Sequence, residues 1–153
     1  MKSKKNILLS ILLVMALLLP TATVSAKNEK TFFTIFAEVC EPGIPEHDLF
    51  VGQGNYIALK WPQTCTEAGS IPEVTGIGNI VLTNLHALAN GVWMFVGKAQ
   101  IVTEVGAWDM NCVYQWPSPD AKCQGNGEGA YEGMQIFMTG YPGYMWTGYI
   151  VDR

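Results

Sequence analysis

The stretch NIVLTNLHALANGVWMFVGKAQIVTEV, residues 79–105, decides the fold. Two runs of alternating apolar and polar residues, Asn79 to Ala89 and Val92 to Val105, flank Asn90-Gly91. Period-two alternation marks half-buried strands, and Asn-Gly between two such runs favours a two-residue type I′ turn, because both central residues need positive φ. Counted outward from that turn, Leu88 stands opposite Trp93, His86 opposite Phe95, Asn84 opposite Gly97, Leu82 opposite Ala99 and Ile80 opposite Ile101. One face of the expected hairpin collects Ile80, Leu82, His86, Leu88, Trp93, Phe95 and Ile101. The other, carrying Val81, Thr83, Leu85, Ala87, Met94, Val96, Lys98 and Gln100, is more mixed.

The same period extends through the rest of the chain after residue 30. Thr31 to Cys40 alternates Phe33, Ile35, Ala37 and Val39 against Phe32, Thr34, Phe36 and Glu38. A short strand is expected at Leu49 to Val51, and another at Asn55 to Trp61, stopped by Pro62. Cys65 to Pro72 reads as loop, and further strands as Ala107 to Trp116, Ala130 to Thr139 and Tyr144 to Val151, separated by Gly- and Pro-rich turns. Seven or eight strands without convincing helical periodicity predict an all-β domain, an antiparallel barrel in preference to a β-sandwich.

Ahead of this domain the properties follow the order of an export signal. Lys2, Lys4 and Lys5 precede an apolar run from Ile7 to Leu19, Pro20 breaks it, and Val24-Ser25-Ala26 offers small side chains for cleavage. The run is too short for a permanent membrane span. Residues 1–26 are therefore expected to be a signal peptide and residues 27–153 a single domain, secreted or otherwise extracytoplasmic, with no permanent membrane span after cleavage. Beyond residue 26 the chain holds six basic against thirteen acidic residues, a net charge of −7, which disfavours nucleic acid as a partner.

Cys40, Cys65, Cys112 and Cys123 all lie in the expected domain. Four cysteines in an exported chain read as two disulfides with three possible pairings; the local pairs Cys40 with Cys65 and Cys112 with Cys123 are favoured. Neither spacing is that of a zinc knuckle, so no metal or cofactor is expected.

Near the C-terminus, Gly127-Glu128-Gly129-Ala130-Tyr131-Glu132-Gly133, followed by an apolar strand and by Trp146-Thr147-Gly148-Tyr149-Ile150, resembles the closing hairpin of calycin-like barrels of the dirigent and allene oxide cyclase type, with their G-x-G-x-Y-x-G pattern. The resemblance covers the last quarter of the chain. It implies an eight-stranded barrel with an apolar cavity and, in some members, a phenolic or lipid-derived substrate; no set of catalytic residues carries over.

The candidate chemistry is sparse. The expected register sets His86 and Asn84 on the aromatic face with Trp93 and Phe95, which would orient a small apolar or phenolic molecule inside the barrel. Glu46-His47-Asp48 reads as a solvated acidic loop, and Glu38 and Glu104 as exposed strand positions in preference to an inward acid/base pair. Trp116, Tyr141 and Tyr144 are candidates for an exposed rim. No nucleophile elbow, zinc-protease or dinucleotide motif occurs. The expectation is a secreted non-catalytic barrel binding a small molecule. The alternatives are an isomerase- or cyclase-like barrel enzyme and an extracellular interaction protein with a filled core.

Overall fold

The computed structural model describes residues 29–153 other than 116, 142 and 143, and the side chains in that range except that of 37. The expected signal peptide and Trp116 lie outside the described residues. Among the described residues nine strands follow in order: β1 (Lys30–Pro42), β2 (His47–Val51), β3 (Asn55–Gly69), β4 (Gly76–Ala87), β5 (Trp93–Val102), β6 (Gly106–Gln115), β7 (Ala121–Gly129), β8 (Met134–Gly140) and β9 (Trp146–Asp152). They form one antiparallel sheet in the order β1-β9-β8-β7-β6-β5-β4-β3-β2, and β1 also pairs with β3. Eight strands thus close in a ring and β2 continues along the edge of β3. The sheet is the expected antiparallel barrel, not two packed layers. Among the described residues no helix is long and apolar enough to cross a membrane.

The hairpin that decides the fold forms, with a different turn. The Leu88 N–H donates to the Val92 carbonyl (2.8 Å) and the Gly91 N–H to the Leu88 carbonyl (2.9 Å), so three residues make the loop. Gly91 has φ +82° while Asn90 does not adopt positive φ. This is a type I turn followed by a left-handed glycine, not the expected type I′ turn. Beyond it Ala87 pairs with Trp93 and Leu85 with Phe95; a bulge at Thr83 then shifts the register so that Leu82 pairs with Gly97 and Ile80 with Ala99. Because successive side chains alternate between faces, the extra turn residue reverses the assignment of β4 next to the turn, and the bulge restores it beyond Thr83. Ile80, Leu82, Trp93, Phe95 and Ile101 face inward as expected, but Leu85 takes the inward place assigned to His86.

A second bulge lies in β1. Ile35 pairs with Gly69 but Ala37 with Ala68, Glu38 with Glu67 and Cys40 with Cys65. Phe33 and Ile35 are buried, Phe36 is exposed, and past the bulge Glu38 is buried. The extra residue carries Glu38 from the outer face, where simple alternation puts it, to the interior.

Two further expectations are corrected. β3 runs through Pro62 to Gly69, so Cys65 is strand, not loop; positive φ at Lys60 (51°) kinks it before the proline. β7, Ala121–Gly129, is strand although its polar, Gly-rich sequence reads as turn. Its inward positions are small because their neighbours leave no room: a Cβ would lie 2.5 Å from the Tyr131 Cβ at Gly127 and 2.6 Å from the Met110 Cγ at Gly125. The stacked rings of Trp108 and Tyr131, 4.7 Å apart, close one end of the barrel together with the buried Val74 of the 3-10 turn Pro72–Val74. The Trp108 indole N–H donates to the Glu73 carbonyl at 2.7 Å and the Tyr131 hydroxyl meets Thr103 Oγ1 at 2.9 Å.

Both favoured disulfides are present, Cys40–Cys65 across β1 and β3 and Cys112–Cys123 across β6 and β7. Each joins residues directly opposite one another. Two such bonds belong to an oxidising, extracytoplasmic environment. Replacing Cys112 and Cys123 together by Ser is expected to lower the unfolding free energy by about 2–4 kcal/mol. Replacing Cys40 and Cys65 should cost at least as much, because that bond closes the longer loop, 25 against 11 residues. Urea denaturation of the three proteins checks this.

Candidate functional site

The inward residues do not fill the barrel. A cavity of about 540 Å³ lies within it, walled by Ile80, Leu82 and Leu85 of β4, Phe95, Ala99 and Ile101 of β5, Met110 of β6 and Met138 of β8. It reaches Trp61, Trp93, Tyr114 and Tyr141 at the end away from the Trp108–Tyr131 stack. Trp93 is 52% and Tyr141 48% exposed, so this end is an aromatic rim in contact with solvent. Phe95 and Tyr114 stack at 5.5 Å, and Tyr141 packs on Tyr144 at 5.4 Å. Burial, and secondarily Tyr141, pushes the Tyr114 phenol above its ordinary value, so it stays a neutral hydroxyl.

Two carboxyls face this apolar space. Glu38 and Glu67 stand directly opposite one another on β1 and β3, 7% and 4% exposed, and both line the cavity. Burial pushes the Glu67 carboxyl up from 4.5 to about 8, with the Glu38 charge and the hydrogen bond between the two side chains adding to it. Two hydrogen-bonded carboxyls in an apolar site do not both ionise, so the pair keeps one proton at neutral pH. Among the described residues Glu67 Oε2 has no hydrogen-bond partner, nor does the buried Trp146 Nε1 on the same cavity wall.

Gly78 makes the room. A Cβ there would lie 2.6 Å from Glu67 Oε1 and 3.3 Å from the Cys65 Cβ, so a side chain at position 78 would displace the carboxyl. Glu38 also lies near Cys40 and Cys65 with the spacing of a metal-ligand set, but the two sulfurs are bonded to each other and are not thiolates, the form that binds metal.

Of the residues singled out in the sequence, Trp93 and Phe95 line the cavity. His86 and Asn84 do not join them. His86 is half-buried between Ile57 and Met94 of the neighbouring strands, and Asn84 is exposed between Leu59 and Val96. The three-residue turn sets both opposite outward residues of β5, and the bulge at Thr83 separates them from the inward Leu82 and Ile80. Glu38, expected outside, is inside, whereas Glu104 lies exposed in the β5–β6 turn, not on a strand. His47 is exposed 3.9 Å from Glu46, whose carboxylate pairs with Lys60 at 2.6 Å; that hydrogen bond and charge hold Glu46 below its ordinary value. Sequence reasoning gave Glu67 no role, because Cys65 to Pro72 reads as loop. The signal that bears on it is Thr64-Cys65-Thr66-Glu67-Ala68, which alternates if Pro62 is allowed inside a strand. No family model, curated protein or solved structure matches this chain.

The raised Glu67 value fixes how stability depends on pH. The folded state holds a proton that the unfolded chain releases near 4.5, so the contribution is fully present below that value and is lost as pH rises to about 8. Stability is expected to fall across this window with a slope approaching about 1.4 kcal/mol per pH unit for one proton. Glu67→Gln should flatten the slope. Denaturant unfolding at pH 5, 6.5 and 8 measures both.

Proposed function

We propose that this chain is a secreted, non-catalytic barrel that holds an apolar or aromatic small molecule in its interior. The observation that carries the reading is the cavity of about 540 Å³, apolar over most of its wall and supplied with a few polar groups. Small-molecule sites have this size and this composition. Secretion rests on the order of charge, apolar run and small residues at the N-terminus, and the two disulfides agree with it. The resemblance to calycin-like barrels of the dirigent and allene oxide cyclase type belongs to the same proposal. Within the described residues its glycine pattern has a local cause, the seating of Tyr131 against Gly127 and Trp108.

A second reading, an isomerase- or cyclase-like enzyme, is favoured by one observation: a buried carboxyl that keeps its proton near neutral pH can act as a general acid or base. It requires turnover that is lost in Glu67→Gln. The interaction-protein reading requires a filled core, which an open cavity disfavours.

Titration of the purified, oxidised protein with the apolar fluorophore N-phenyl-1-naphthylamine tests the main reading. Saturable fluorescence enhancement is expected. Ala99→Leu, which adds bulk to the cavity wall, should weaken binding by about tenfold, whereas His86→Ala should leave it unchanged. Absence of saturable binding, or equal binding by the Ala99 variant, contradicts the reading.

A further inference from the structure

The outer wall of the barrel carries a second open volume, a groove of about 750 Å³ across β1, β9, β8, β7 and β6. The register puts Phe32 beside Tyr149, Tyr149 beside Phe137, Phe137 beside Gln124 and Gln124 beside Asn111. Residues directly opposite one another share a face of the sheet, so one row across the groove runs from three rings to two amides. Phe137 and Tyr149 stack at 5.1 Å, and Phe32 leans on Tyr149 at 6.0 Å while remaining 71% exposed. The next row sets Thr147 beside Thr139, Thr139 beside Lys122 and Lys122 beside Val113. Rings gathered on one exposed surface mark a binding site, whereas scattered ones do not.

We infer that this outer groove binds an acidic glycan, a strand of sugar rings bearing carboxylates. The site lies outside the barrel and is independent of what the interior holds. Each part of a uronate has a counterpart here. The C–H faces of its pyranose ring pack on Phe32, Phe137 and Tyr149. Its hydroxyls donate and accept hydrogen bonds, as do the Asn111 and Gln124 amides and the Thr139 and Thr147 hydroxyls. Its carboxylate falls to Lys122 in the groove, with Lys98 opposite Asn111 at the edge. Among the described residues the ion pairs are those of Glu46 with Lys60 and His47, so both lysines are without an acidic partner. The acidic residues of β6 and β7, Asp109 and Glu128, are hydrogen-bonded to each other instead. Beyond residue 26 the chain carries only six basic residues against thirteen acidic. Three of the six share this face, with Lys30 seated 4.0 Å over the Tyr149 ring. That local charge complements a carboxylate, while the net charge of −7 disfavours the denser charge of a nucleic acid.

The test compares three hexamers by isothermal titration calorimetry at pH 7: hexagalacturonate, maltohexaose as a neutral α-1,4-linked sugar, and hexaglutamate as an anion without sugar rings. Hexagalacturonate is expected to bind at least about tenfold more tightly than either of the others. Lys122→Gln should reduce its affinity to that of maltohexaose. Phe137→Ala, and Phe32→Ala at the most exposed of the three rings, should each weaken hexagalacturonate about tenfold, with folding verified by near-ultraviolet circular dichroism. Ala99→Leu, inside the barrel, should leave it unchanged. Equal affinity for maltohexaose or hexaglutamate overturns the inference, as does binding that survives the Lys122 and both ring substitutions. Binding to phosphatidylglycerol vesicles that hexagalacturonate does not displace assigns the groove to a membrane surface and equally overturns it. Absence of hexagalacturonate binding by a protein that still takes up the naphthylamine probe overturns the glycan site and leaves the interior site standing.

Discussion

The pairing of β1 with β3 is the constraint on which the rest of the structure depends. It turns an open sheet into a closed ring, and closure encloses an interior where an open sheet would offer a face to water. The seam is reinforced covalently by Cys40–Cys65 and carries Glu38 against Glu67 two residues further on. A single run of paired backbone therefore closes the barrel, staples it and brings the two carboxyls together. β2 takes over along β3 where β1 leaves it, pairing residues 47–51 with 55–59.

Such a seam is an unusual place for two acids. A barrel selected only to stand would fill these positions with Leu or Val, since replacing buried ionised groups by apolar ones is commonly neutral or stabilising. The arrangement here gives up packing on both sides of the pair, through a glycine at position 78 and an unfilled volume beyond it. Departures from the rules of core construction concentrate at sites of function. The opposite end of the barrel follows those rules closely: Trp108, Tyr131 and Val74 are buried there, and both ring polar atoms have partners.

Much of the fold was legible in the sequence, because strand alternation and turn residues are local properties. The hairpin around Asn90-Gly91 was legible, though not its three-residue turn, and the cysteine spacing favoured the two disulfides that form. β7 was hidden because its inward positions are Ala, Cys and Gly, whose smallness answers to Met110 and Tyr131 on neighbouring elements and not to any local preference. The site was less legible, for a definite reason. Alternation assigns faces correctly only until a strand or a turn gains a residue, and two such insertions, the bulge at Phe36 and the third residue of the turn at 89–91, stand between the readable hydrophobic runs and the polar groups that matter. One brings Glu38 in and the other sends His86 out. Trp93 and Phe95, on the unbulged strand between the turn and Gly97, were placed correctly.

The account stands on the claim that Glu38 and Glu67 share a proton inside the barrel near neutral pH. Carbon-13 NMR of the glutamate side-chain carboxyls, followed from acid to mildly alkaline pH in the protein and in Glu67→Gln, tests it most directly. The account predicts one carboxyl that titrates near 8 and whose transition disappears in the variant. Titration of every glutamate in the ordinary range around 4.5 would contradict it.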